Sequence, residues 1–139
     1  MADRLAEFEV RYTKGRRRVV HALTGASGPM SAAELHRGLG RRVPLSSLYR
    51  TLSVLGEAGV LERFHDPDGF TNYELAEWLS GHHHHLVCVE CGLTEDLELS
   101  PALERSLGVI VKAAATKRGF EIAGHRLDLE ARCEACRIA

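Results

Sequence analysis

The 139-residue sequence predicts an α+β fold in two modules, a helical one closed by a β-hairpin and then a small sheet-and-helix one. Three observations predict it. Apolar residues fall at helical spacing as far as Leu55, and two strand-like runs then flank a turn signal at residues 65–69. The charge divides in the same region: residues 1–60 carry ten Lys/Arg against five Asp/Glu, and residues 61–139 carry eight against fourteen. All four cysteines lie in the second part, as the CxxC pairs Cys88/Cys91 and Cys133/Cys136. The net charge of −1 is therefore the sum of a basic half and an acidic half with different partners.

The first module opens with a basic run, Arg11, Lys14, Arg16, Arg17 and Arg18, which on its own is equally well a solvated helix face. A helix over 14–25 carries Val19, Val20 and Leu23 and stops in TGASGP. Ser31 and Glu34 have the spacing of a capping box, and the helix they start buries Leu35 and Leu39. After RRVP a third helix begins near Ser46 or Ser47, with Leu48, Leu52 and Leu55 as its buried stripe. Val60-Leu61 opens a strand, HDPDG makes the turn, and FTNYEL returns. Three helices and a hairpin are the order of a winged helix-turn-helix, whose third helix enters the major groove of DNA. The inward leucines leave Ser46, Tyr49, Arg50 and Ser53 free to face DNA. The Arg50 guanidinium suits guanine O6/N7, and Tyr49 suits a thymine methyl or a phosphate.

AEWLSG at 76–81 leads into the second module, which opens with HHHHLVCVEC. The histidine run is internal, where a purification tag does not belong. In an extended chain His83 and His85 share one face and His82 and His84 the other, so one tetrad can seed two metal sites. The two CxxC pairs supply four thiolates, enough to close a tetrahedral zinc site and clip the C-terminal tail to the first strand of the module. A thioredoxin-like redox pair lacks its βαβ surroundings. LTEDLEL at 93–99 alternates as a strand, and Ser100-Pro101 starts a helix that runs to Gly119. Residues 120–133 read as one long strand with a bulge at Ala123-Gly124. In it His125 shares a face with Leu127 and Leu129 and is equally well a satisfied core histidine. A module this small completes its core by pairing with a second copy.

SAAELH at 31–36, SSLYRTLSVLGEAGVL at 46–61, HHHHLVCVECG at 82–92, GHRLDL at 124–129 and the two CxxC pairs together resemble the ferric uptake regulator family of metal-dependent repressors. The resemblance runs from about Arg11 to Cys136. It implies a winged-helix DNA-binding domain over 1–75, a hinge at 76–81, and an α/β dimerisation and metal-binding domain over 82–139 with a mixed or antiparallel sheet. It implies a homodimer on a palindromic double-stranded operator, controlling metal uptake. Tyr49 and Arg50 match the base-contacting pair, Arg16 a phosphate contact, and Arg11 a minor-groove contact. Cys88, Cys91, Cys133 and Cys136 match a structural Zn(II) site. Glu74, His83, His85 and Asp96 match a regulatory hinge site for Fe(II) or Zn(II), with Mn(II) or Ni(II) as further options. His82, His84, Glu104 and His125 match an additional site.

The sequence departs from the pattern in two places. Iron-sensing members commonly carry a histidine just before the SAxxLH segment, where this chain has Gly28-Pro29-Met30. Zinc-sensing members often carry an Asp in the wing and a Cys soon after; Asp68 matches the first, but the second falls near Ala76. His65, Asp66 and Asp68 are the wing residues able to replace the ligand missing near Pro29. A peroxide sensor of the same family, a metal-storage protein and a zinc hydrolase are the alternatives. The hydrolase lacks an HExxH motif, and a storage protein has no use for the basic module. The reading is therefore a regulator, not an enzyme. No run approaches the ~18 apolar residues of a membrane span, and the charged N-terminal stretch is unlike a signal peptide, so the expected location is cytoplasmic.

Overall fold

The computed structural model describes residues 1–40, 43–66 and 68–138. Arg41 and Arg42 of the RRVP linker and Pro67 of the wing turn lie outside the described residues. The first module comprises α1 (Ala2–Glu7), α2 (Lys14–Thr24), β1 (Met30–Ser31), α3 (Ala32–Leu39), α4 (Leu45–Glu57), β2 (Leu61–His65) and β3 (Thr71–Leu75). A four-residue helix α5 (Glu77–Ser80) follows. The second module comprises β4 (His84–Cys88), β5 (Thr94–Leu97), α6 (Pro101–Thr116), β6 (Asp128–Ala131) and α7 (Glu134–Arg137).

Side-chain caps start α2, α3 and α6. The Thr13 hydroxyl accepts from the Arg16 N–H at the start of α2, and Ser31 and Glu34 form the full capping box of α3. Ser100 caps α6 with Pro101 in its first turn. The third helix does not begin at a serine. Pro44 takes the N-cap position in an extended conformation, and its carbonyl accepts the Leu48 N–H at 2.9 Å. Ser46 and Ser47 thus fall inside the first turn, on its exposed side.

One connected apolar core joins α1–α4 to the wing. Val19, Leu35, Leu48, Leu52, Leu55 and Val60 are all but fully buried in it, as is Leu5 of α1, a helix that sequence reading did not anticipate. Each buried leucine contributes about 1.5–3 kcal/mol by leaving water. The sheet of this module is antiparallel in the order β1-β3-β2, with Met30 opposite Tyr73 and Arg63 opposite Tyr73 on the other side. Trp78 ties α5 back to the same module by donating from Nε1 to the Gly59 carbonyl at 2.8 Å.

The second sheet is mixed, in the order β5-β4-β6. β4 pairs antiparallel with β5, His85 opposite Asp96, and parallel with β6, His85 opposite Asp128. The strand expected over 120–133 shortens to Asp128–Ala131, and the bulge at Ala123-Gly124 has no ladder to sit in. The register explains this. β4 begins at His84, so residues before about 127 run past its start and find no partner strand among the described residues. Helix α6 buries no residue, and Leu103, Val109, Ile110, Phe120, Ile122 and Leu129 are exposed.

Candidate functional site

Three polar clusters surround β4, and the alternation of its residues sorts them. Cys88 ends the strand and Cys91 lies in the turn after it; Cys133 caps α7 and Cys136 sits within it. Their four sulfurs lie within 4.8 Å of one another, and Cys91 Sγ is 3.7 Å from Cys133 Sγ. Sulfurs around a tetrahedral zinc with ~2.3 Å bonds stand about 3.8 Å apart, so the donor set fits that ion. The Cys133 N–H points at Cys88 Sγ from 3.4 Å. That contact, with the N–H groups of Cys91 and Glu90, lowers the Cys88 thiol to about 6 and favours a thiolate. Cys136 is pushed up, because its thiol serves the sulfurs of Cys133 and Cys91 as donor.

The second cluster joins the modules. Glu74, on β3 of the wing, directs Oε2 at His83 Nε2 (3.2 Å) and His85 Nε2 (2.9 Å). Asp96 Oδ1, on β5, stands 3.9 Å and 4.0 Å from the same two nitrogens. Burial alone would raise the Glu74 carboxyl, but hydrogen bonds and charge from His85 and His83 outweigh it and hold the pKa below its ordinary value. Burial would lower both histidines. His83 is nevertheless raised, by the Gly81 carbonyl, Glu74 and Asp96, and His85 by Glu74 and Asp128. Asp96 is raised by burial and by the nearby charges of Glu74 and Glu98, against the opposing pull of His83 and His85. Two carboxylates and two imidazoles converging on one point are a donor set that could hold a divalent cation.

The third cluster lies on the opposite face of β4. His84 is buried, with Nε2 2.7 Å from Glu104 Oε1 of α6. His82 Nε2 and His125 Nε2 stand 3.5 Å and 3.6 Å from Glu104 Oε2. Two buried ring nitrogens, His84 Nδ1 and His125 Nε2, have no hydrogen-bond partner among the described residues. An orphaned buried polar atom costs about 1–3 kcal/mol, which a bound cation on His125 Nε2 would offset. His125 therefore faces the cluster rather than serving as a satisfied core histidine.

Every predicted ligand thus falls in the cluster expected of it. Three neighbours went unforeseen. Asp128 accepts from His85 Nδ1 at 2.9 Å, which turns Nε2 towards Glu74. Glu77 of α5 hydrogen-bonds His82 Nδ1. Arg126 reaches Glu74 Oε1 at 3.7 Å and Glu62 at 3.8 Å, a charge bridge from the second module to the wing. Only the strand register could have exposed Asp128. The wing supplies no other ligand among the described residues. Asp66 is engaged by the Phe70 N–H (2.8 Å) and Asn72, while His65 and Asp68 are exposed and outside all three clusters.

On α4, Tyr49 and Arg50 are exposed while Leu48 and Leu52 face the core. Arg16 donates to the Arg11 carbonyl, which keeps both residues together at the start of α2. Arg17 donates to the Tyr12 carbonyl at 2.9 Å and stacks over the Tyr12 ring.

A basic winged helix joined through a carboxylate–imidazole cluster to a module bearing a four-cysteine site is the build of a metal-responsive DNA-binding regulator. The model of the ferric uptake regulator family matches residues 7–130, and the chain belongs to that family. The ferric uptake regulation protein of Pseudomonas aeruginosa is 37% identical over 107 residues, 74% of each chain. That of Bacillus subtilis is 34% identical over 95 residues, 68% of this chain and 60% of the relative, which is less than two thirds of its length. The ferric uptake regulator of Vibrio cholerae, whose structure reveals rearrangement of its DNA-binding domains, has the same fold. It superposes with a TM-score of 0.71 at 26% identity, over 95% of this chain and 98% of that one.

Proposed function

We propose that the protein is a homodimeric, cytoplasmic repressor of metal-uptake genes that binds a palindromic operator when its hinge site holds Fe(II) or Zn(II). The observation that carries this reading is the hinge cluster. Glu74 belongs to the winged helix, and His83, His85 and Asp96 belong to the module beyond the linker, yet all four converge on one point. Residues 1–75 form the DNA-binding domain, 76–81 the hinge and 82–139 the dimerisation domain. A divalent cation held there by Glu74, His83, His85 and Asp96 would take the place of the imidazole protons as the positive charge between the two carboxylates. Glu74 then fixes the wing against β4, Asp128 keeps His85 in the required tautomer, and Trp78 holds α5 to the winged helix. Domain orientation sets the spacing of the two α4 helices, which must lie one helical turn apart on DNA. Arg50 and Tyr49 read bases; Arg16 binds phosphate, and Arg11 reaches the minor groove.

The four-cysteine cluster would hold structural Zn(II), and the third cluster an additional ion, as their donor sets allow. The relatives' names favour iron at the hinge, whereas affinity order alone favours zinc. Each cluster has four protein donors, which suits regulation and structure rather than hydrolysis. The exposed apolar residues of α6 and of 120–129 form the dimer face. No helix among the described residues is long and apolar enough to cross a membrane.

The test is a mobility-shift titration of chelator-treated, zinc-replete protein on promoter DNA with buffered Fe(II), Zn(II), Mn(II) and Ni(II), with metal counting. Specific binding should rise with one metal, at one ion per hinge site. Binding independent of every metal would refute the reading.

A further inference from the structure

Resting on the hinge reading above, we propose that the Ser27-Gly28 turn of the winged-helix module is a positioning element of the hinge site. It holds the main chain of Asp96 while the Asp96 carboxylate faces the histidines. The Asp96 N–H donates to the Ser27 carbonyl at 2.9 Å, across the boundary between the modules. Beside it, Gly28 packs directly on the β5 backbone. A Cβ at position 28 would lie 2.3 Å from the Thr94 carbonyl oxygen and 3.2 Å from Glu95 Cα, so no side chain fits without separating the two.

Gly28 is not among the glycines with positive φ. The position therefore uses the missing side chain rather than the conformational freedom of glycine. β5 is an edge strand of its sheet, and this turn covers its outward edge. The same turn walls a cavity of about 240 Å³ whose other side includes Glu74, His83 and Asp96. The winged helix thus grips the hinge site twice, through the Glu74 side chain and through the Ser27 carbonyl. Asp96 is common to the second grip and to the ligand set. Docking of the turn and binding of a cation are therefore linked, and weakening one weakens the other by the same factor.

The test compares Gly28→Ala with Gly25→Ala in the full-length, zinc-replete protein. A Cβ at position 25 meets nothing closer than 3.9 Å, which makes it the control. The probe is Mn(II), read by loss of its free-ion spin-resonance signal, at the site that His83→Ala removes. Gly28→Ala should bind Mn(II) there about tenfold more weakly, within the usual range of coupling between sites. Its Asp96 amide should exchange at least about tenfold faster, and its Cys-bound zinc should be unchanged. Gly25→Ala should match the wild type in all three. Wild-type Mn(II) affinity and amide exchange in Gly28→Ala would overturn the proposal. If Gly28→Ala does not fold, a freely exchanging Asp96 amide in the wild type overturns it and a protected one supports it. Wild-type protein that takes up no Mn(II) at the hinge would instead overturn the hinge reading, with the docking still decided by that amide.

Discussion

The two modules of this chain solve the problem of a small core in different ways. The first is closed by apolar contact, with leucines and valines from four helices and the wing in one cluster. The second buries almost no aliphatic side chain beyond Val87; its buried residues are His84, His85, Cys88 and Thr94, and its one long helix buries none. Where the first module has leucine, the second has donor atoms. Apolar packing closes the first module without a ligand, whereas thiolates, imidazoles and carboxylates gathered in a small core call for cations to balance them, and on the proposed reading for a partner subunit to cover the rest. On the proposed reading, stability of the second part and sensing by the hinge draw on the same chemistry.

The largest expected effect breaks that contrast at the four-cysteine cluster. Removal of zinc should cost the second module on the order of 10 kcal/mol, and Cys133→Ser, which leaves three thiolates, a large part of that. Amide exchange should show β4, β5 and β6 opening while α2–α4 stay protected. A zinc-free, normally stable Cys133→Ser dimer would contradict the clip. In the first module the matching change is Leu52→Ala, which should cost about 2–5 kcal/mol by denaturant unfolding. It should do so equally with and without metal. Arg50→Ala should leave both modules folded and weaken specific operator binding by about 1–3 kcal/mol, measured against a scrambled site.

A smaller effect follows from protonation at the hinge. His83 and His85 hold their protons above the ordinary histidine range, and a cation must displace them. Hinge affinity should therefore rise with pH through and just above that range and fall as pH drops. Titrations at stepped pH check this, and a flat profile would mean that the two imidazoles are not the ligands.

The features legible in the sequence were local ones. The Leu48/Leu52/Leu55 stripe and the Ser31–Glu34 box each lie within a turn or two of one helix, where side-chain spacing alone sets the outcome. The division of His82/His84 from His83/His85 needed only the alternation of an extended chain. What escaped depended on distant partners. Asp128 meets His85 across 43 residues of sequence, through a parallel register that no local pattern encodes. Residues 120–127 have strand-like alternation, yet an extended segment becomes a strand only beside a neighbour, and the parallel β4 starts too late to pair with them. The start of α4 was legible to within a residue of Ser46, though Pro44 rather than a serine holds the extended geometry that the cap position requires.

The central claim is that the hinge cluster couples metal to the orientation of the DNA-binding module. Operator affinity of His83→Ala, measured with and without the effector metal beside the zinc content of the cysteines, tests it most directly. The expected result is full cysteine-bound zinc with no gain in operator affinity on adding metal. An undiminished metal response in that variant would contradict the account and place sensing elsewhere in the chain.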